Sequence, residues 1–256
     1  MSLDGFSPGE QDAYVGFSHD TSRRYFALVA LVSRWLNIRV DGLSSLPKGR
    51  GLLVANHAFG WDMAFPMAAI TRQLGRTVWV LGEHAWWRIP FLRRLASQVG
   101  VVDGTQENVD RLLQREELVL VLPGGLREAV KPRELRYQLL WGDRYGFVKA
   151  AIRNAAPLVP LASIGTDELF DFVGNAYARG ERWLRRPGIP IPLPARILPI
   201  PHRVEVRFVI GEPIAPHVSA DHAEDVEAQH RLRREVEGAL HELIESELAR
   251  RAGISI

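Results

Sequence analysis

Gly51-Leu52-Leu53-Val54-Ala55-Asn56-His57-Ala58-Phe59-Gly60-Trp61-Asp62 is the stretch on which the fold is decided. It begins with an apolar run that does not alternate, the pattern of a strand covered on both faces. The polar residues after it stand where that strand ends, and in parallel sheets the side chains that meet ligands gather at the carboxyl ends of strands. Three more runs of this kind follow, Thr77 to Leu81, Leu118 to Leu122 and Leu158 to Ala162. Val204 to Ile210 instead alternates apolar and polar residues, which predicts a strand with one wet face. Pro160 inside the fourth run predicts a bulge or a ligand-facing strand end.

Helical patterns fill the intervals. They cover Met63 to Leu74, Ile89 to Val99, Glu107 to Arg115 with Val109, Leu112 and Leu113 on one side, and Gly146 to Ala155 with Phe147, Val148 and Ile152 inward. Ala223 to Ala252 reads as a long charged helix whose stripe of Leu232, Val236, Leu240 and Leu243 closes the fold or meets a partner. Strands alternating with helices predict an α/β fold with a mostly parallel, mixed sheet flanked by helices. Tyr25 to Val32 falls well short of the roughly 20 apolar residues that span a bilayer, so it predicts an amphipathic helix lying on a membrane or on the core. Met1 to Asp20 is polar and predicts no secretory signal. Residues 188–201 are rich in proline and apolar, and predict a stiff extended arm.

Hydrophobic residues make up 46% of the 256 residues and charged residues 24%, enough apolar material for a sizeable core. The absence of cysteine excludes disulfides, cysteine nucleophiles and thiolate metal sites. A net charge of +2 is too small to imply nucleic acid as a partner. Several of the seven Trp lie beside Arg, at Arg34-Trp35, Trp86-Trp87-Arg88 and Arg182-Trp183, a pairing found both at lipid interfaces and in ordinary cores. No metal site is expected, because the His and acidic residues form no convincing ligand set.

Asn56-His57 and Asp62 carry the sharpest chemical signal. On a regular helix residues five apart point roughly 140° apart, so His57 and Asp62 meet only if His57 stays on the loop and Asp62 opens the next helix. A carboxylate so placed orients the imidazole and stabilises its protonated form, as general-base chemistry requires. The alternative is a capping Asp62 and a packed His57. A second signal, Pro123-Gly124-Gly125-Leu126-Arg127-Glu128-Ala129, follows the third run. Its glycines allow a ligand to approach the backbone, and Arg127 suits an anion or a carbonyl oxygen. No Gly-x-Ser-x-Gly elbow is present, which argues against a serine hydrolase.

In this order the blocks resemble the glycerolipid acyltransferase superfamily, whose first block is Asn-His-x4-Asp and whose third is usually Pro-Glu-Gly-Thr-Arg-Ser. The Pro-Gly-Gly form is similar to the diacylglycerol acyltransferase type 2 and phytyl ester synthase branches. Trp141 to Val148, Gly165 to Phe170 and Val159-Pro160-Leu161 add to the likeness. The resemblance implies a glycerol-phosphate-acyltransferase-like fold, with an interfacial helical segment over residues 1–40 and an acyltransferase domain over 41–256. It implies His57 and Asp62 as catalytic residues and Asn56, Gly124, Gly125, Arg127, Glu128 and Lys131 as substrate-binding residues. The co-substrate would be acyl-CoA or an acyl carrier protein, with no further cofactor and no acyl-enzyme. The other partners would be a lipid acceptor and a membrane surface, on the cytoplasmic side as a peripheral protein. Glycine at 124, where the family usually has glutamate, favours a neutral acceptor such as diacylglycerol or a long-chain alcohol. Lysophosphatidic acid or another lysophospholipid is the alternative, and a catalytically idle lipid-binding protein a further one.

Overall fold

The computed structural model describes residues 16–59, 62–82, 90–129, 131–170 and 202–254. Strands β1 (Arg39–Asp41), β2 (Gly51–Ala55), β3 (Val78–Gly82), β4 (Val101–Asp103), β5 (Leu118–Val121), β6 (Leu158–Ile164) and β7 (Arg207–Ile210) form one sheet in the order β1-β7-β6-β2-β5-β3-β4. Neighbours run parallel except β6 and β7, which are antiparallel, so the sheet is mostly parallel and mixed. The helices are α1 (His19–Trp35), α2 (Ala64–Leu74), α3 (Pro90–Gln98), α4 (Gln106–Gln114), α5 (Leu126–Ala129), α6 (Gly146–Arg153), α7 (Thr166–Leu169) and α8 (Val226–Arg251).

The unbroken apolar runs are explained by cover on both faces. Along β2, Leu52 and Val54 enter the core beneath α4, α6 and α8, while Leu53 and Ala55 enter the core beneath α1 and α2. The central strands β2 and β6 are buried at every position. β7 alternates half-buried and buried residues, as its sequence predicts. The long helix starts at Val226 rather than Ala223, because the Asp225 carboxylate caps the N–H groups of Glu227 and Ala228. Its stripe of Leu232, Val236, Leu240 and Ile244 is buried and closes one face of the sheet.

Pro160 does not make a bulge. The register of β6 against β2 runs without interruption through Val54 and Pro160. Its carbonyl accepts the Gly211 N–H at 2.9 Å, just beyond the last paired residues of β7. The donor that proline lacks therefore faces the frayed side of the ladder, where its loss is tolerated.

α1 lies on α2 through Phe26 and Val29, while Leu28, Leu31 and Trp35 are 61%, 65% and 78% exposed. Phe91 and Leu95 of α3 are exposed as well. Among the described residues no helix is long and apolar enough to cross a membrane. Gly60 and Trp61 of the opening stretch, the Trp86-Trp87-Arg88 and Arg182-Trp183 pairs and the proline-rich arm at 188–201 lie outside the described residues.

Candidate active site

The site forms where β2 leaves the sheet. The Asn56 side chain continues the β2–β6 ladder by one step: Nδ2 donates to the Ser163 carbonyl at 3.0 Å and Oδ1 accepts the Ser163 N–H at 2.8 Å. This fixes the point at which the chain turns away, so that His57 stands above the strand end. Asp62 lies just ahead of α2, and its backbone carbonyl accepts the Phe65 N–H. The carboxylate folds back onto the loop. Oδ2 accepts the Ala58 N–H at 2.9 Å and Oδ1 lies 3.4 Å from His57 Nδ1. Both side chains are buried, His57 to 4% exposure and Asp62 to 0%.

The other ring nitrogen, His57 Nε2, lies 3.1 Å from the Gly125 carbonyl. Asp62 accepts a hydrogen bond from Nδ1–H, so Nε2 can also donate only when the ring is the imidazolium. The electrostatics agree. Burial lowers the His57 pKa, but the Asp62 hydrogen bond and the charges of Asp62 and Glu128 outweigh it, and the net shift is upward. Gly125 has φ +53, a conformation that glycine adopts without strain, and a Cβ there would stand 2.9 Å from Arg144 Nη1. The Arg144 guanidinium donates to the Pro123 carbonyl.

The structure gathers three more buried charges on the far side of His57. The Glu128 carboxylate accepts the N–H groups of His57 and Leu140 at 3.3 and 2.7 Å. Lys131 Nζ donates to the His57 carbonyl at 3.3 Å and pairs with Asp167 at 3.0 Å. Burial raises the pKa of both Glu128 and Asp167, with Lys131 acting in the opposite sense on each. Of the residues singled out for substrate binding, Asn56, Glu128 and Lys131 thus direct their polar groups to protein partners. Gly124 is buried against Glu128 and Gly125 lines the cavity described below. Arg127 is exposed beside Gly142 and stands outside that lining. Asp167 was not singled out. Its signal is an acid one turn past a buried strand, and the Lys131 it neutralises lies far away in sequence.

A cavity of about 490 Å³ opens over His57. Val80, Leu81, Val101 and Val121, at the carboxyl ends of β3 and β5 and the start of β4, form its apolar walls with Val109 of α4 and Phe147 of α6. Thr105, Gln106, Asp143, Arg144 and Tyr145 make its polar part. A more open groove of about 640 Å³ continues from Gln106, Asp143 and Tyr145 over Lys149 and Arg153. No group of three or more His and acidic residues that would hold a metal occurs among the described residues.

The solved structure of the 1-acyl-sn-glycerophosphate (LPA) acyltransferase PlsC from Thermotoga maritima has the same fold, with a TM-score of 0.51 over 89% of this chain and 85% of that one, at 17% identity. A Mus musculus protein described as "DGAT1/2-independent enzyme synthesizing storage lipids" is 30% identical over 73% of this chain and 56% of its own length. An uncharacterized Mycobacterium tuberculosis protein is 30% identical over 86% of this chain and 64% of its own. The chain therefore spans between about half and two thirds of the length of these curated relatives. The family model described as diacylglycerol acyltransferase matches residues 54–188, more than half of the chain. The chain belongs to the diacylglycerol acyltransferase family, one of the glycerolipid acyltransferases.

Proposed function

We propose that this chain moves a fatty acyl group from a thioester donor, acyl-CoA or an acyl carrier protein, to the hydroxyl of a lipid alcohol, with His57 as general base and Asp62 as its orienting partner. The observation that carries this reading is the buried His57–Asp62 pair at the floor of an apolar cavity of about 490 Å³. Asp62 holds the tautomer with the proton on Nδ1, which leaves Nε2, beside the Gly125 carbonyl at the cavity, with its lone pair to accept a proton. The acceptor hydroxyl gives its proton to Nε2 while its oxygen attacks the thioester carbonyl. The tetrahedral intermediate collapses with cleavage of the C–S bond, and the imidazolium returns the proton to the departing thiolate. Ester and free thiol leave, and no acyl-enzyme forms. The Gly125 carbonyl accepts from Nε2–H once the ring is protonated, and so stabilises the imidazolium that proton uptake forms.

The lining favours a neutral acceptor. Arg144 is the cation of the cavity among the described residues, and it already donates to Pro123. A phosphate-bearing acceptor calls for several convergent donors. Lys149 and Arg153, paired with Glu224 and Asp110, lie in the adjoining open groove, where a CoA phosphate or a carrier protein would have to compete with those carboxylates for them. The outward stripes, Leu28, Leu31 and Trp35 with Arg24 and Arg34, and Phe91 and Leu95 with Arg93 and Arg94, suit peripheral attachment to an anionic cytoplasmic leaflet.

The test is free-CoA release from a long-chain acyl-CoA with diacylglycerol, a long-chain alcohol, lysophosphatidic acid or no acceptor. Release that depends on a neutral alcohol is expected. Release that depends on lysophosphatidic acid alone overturns the acceptor assignment, and no release with either donor class overturns the reaction.

A further inference from the structure

The reaction above uses His57 and Asp62 and leaves three buried charges beside them without a role. Glu128, Lys131 and Asp167 are 0%, 6% and 8% exposed, and burying a charge is costly unless something in the fold requires it. None of the three belongs to the cavity lining, and their hydrogen bonds go to the protein. The residues around His57 belong to neither β2 nor α2, so the peptide groups there have no ladder or helix partners although the loop is buried. Buried N–H and C=O groups need partners, and here side chains supply them.

We propose that Glu128 and Lys131 are positioning residues that grip the backbone of His57 from both sides, with Asp167 holding Lys131 in place. The inference rests on the reading of His57 as the general base. Glu128 accepts the His57 N–H at 3.3 Å and Lys131 donates a hydrogen bond to the His57 carbonyl at 3.3 Å, so both backbone polar groups of one residue end on ionisable side chains from the segment after β5. The Ala58 N–H on the next residue ends on Asp62. Three successive polar groups of the loop are thus held by ionisable side chains, at 3.3, 3.3 and 2.9 Å, where no ladder or helix partner exists. The grip is anchored in turn. Glu128 is fixed by the Leu140 N–H, and Asp167 pairs with Lys131 while accepting the Tyr137 N–H at 2.7 Å. The ring of a general base must lie within hydrogen-bond reach of the attacking hydroxyl, and a displacement of about 1 Å costs on the order of 10²-fold in rate. Asp62 and the Gly125 carbonyl fix the ring's rotation, whereas Glu128 and Lys131 fix where its Cα stands.

The experiment compares the full chain with Glu128→Gln, Lys131→Met and Asp167→Asn, near-isosteric changes that remove a charge. The substrate-free readout is the low-field proton resonance of His57 Nδ1–H, identified by its absence in His57→Ala. Wild type should show one sharp signal, and the variants should shift or broaden it. In the acyl-transfer assay, folded variants should lose kcat on the order of 10²-fold with KM changed by no more than about twofold. If KM rises while kcat and the Nδ1–H signal stay as in wild type, these side chains bind substrate and the proposal is overturned. If Lys131→Met does not fold, Asp167→Asn, which keeps the ammonium but frees it, must show the kcat loss or the proposal fails. If wild type turns over no acyl donor, the reaction reading fails. The Nδ1–H signal then decides the positioning role by itself: a signal unchanged in Glu128→Gln overturns it, and a shifted or broadened one supports it.

Discussion

The carboxyl group of Glu128 fills the space that a side chain on Gly124 would need: a Cβ built at 124 would overlap Cγ, Cδ and Oε1 of Glu128. The acid that the family's third block usually carries at this position is missing here, yet a carboxylate stands against the same backbone, supplied four residues later. Glycine at 124 and glutamate at 128 are therefore one feature of the site.

Gly124→Ala should push the Glu128 carboxylate away from the His57 and Leu140 N–H groups that hold it. Overpacking of this kind costs about 1–3 kcal/mol, and denaturant unfolding should show a loss of that size together with a fall in kcat. In a Glu128→Ala background the added methyl meets no carboxylate, so its cost should shrink. Strict additivity of the two changes would contradict the packing account.

The pH dependence follows from three groups whose folded-state pKa values are raised. His57 stands above its ordinary value of 6.5, because the Asp62 and Glu128 charges outweigh burial. The base must be neutral, so kcat/KM should rise with pH along a limb whose midpoint lies above 6.5. Stability should run the other way. A raised folded pKa contributes stability fully below the unfolded value, lost as pH climbs through the folded value. Glu128 and Asp167, raised from 4.5 and 3.8, act with the same sign at lower pH. Glu116 and Glu168 are lowered by their arginine partners and act only below the usual carboxylate range. The melting temperature should therefore fall between about pH 5 and 8. A rise over that window would contradict the charge assignment.

Asp62→Asn keeps an oxygen for the Ala58 N–H and removes the charge beside Nδ1. The fold should survive, the rate should drop, and the acid limb should move to lower pH because a cause of the raised His57 pKa is gone. A variant that unfolds instead would make Asp62 chiefly a loop cap.

Four strands are legible in the sequence because cover on both faces writes an unbroken apolar run such as Leu52-Leu53-Val54 or Val119-Leu120, and β7 is legible by the alternation of a half-buried strand. β1 and β4 escaped notice. Each has three residues at an edge of the sheet, and Arg39-Val40-Asp41 carries no apolar run. His57 and Asp62 were legible because their spacing is local and chemically unusual. The partners of Glu128 and Lys131 were not. His57 lies 71 and 74 positions from them in sequence, and a charged residue gives no sign in sequence that it is buried. Both read as substrate ligands for that reason, and the structure shows the protein groups they hold.

Attachment to lipid is tested on α1. Leu31 and Trp35 are exposed and carry no core packing, so the double change Leu31→Ser and Trp35→Ser should leave the melting temperature unaltered. Co-sedimentation with anionic vesicles should weaken by about tenfold or more. Unchanged sedimentation would move attachment to another surface.

The central claim is that His57 is the general base of an acyl transfer. The most direct measurement is acceptor-dependent release of free CoA by wild type and by His57→Ala under the same conditions, with cooperative unfolding checked for both. The account predicts that the folded His57→Ala protein loses about 10²–10⁴-fold in rate. A folded His57→Ala protein that releases CoA at the wild-type rate would contradict it.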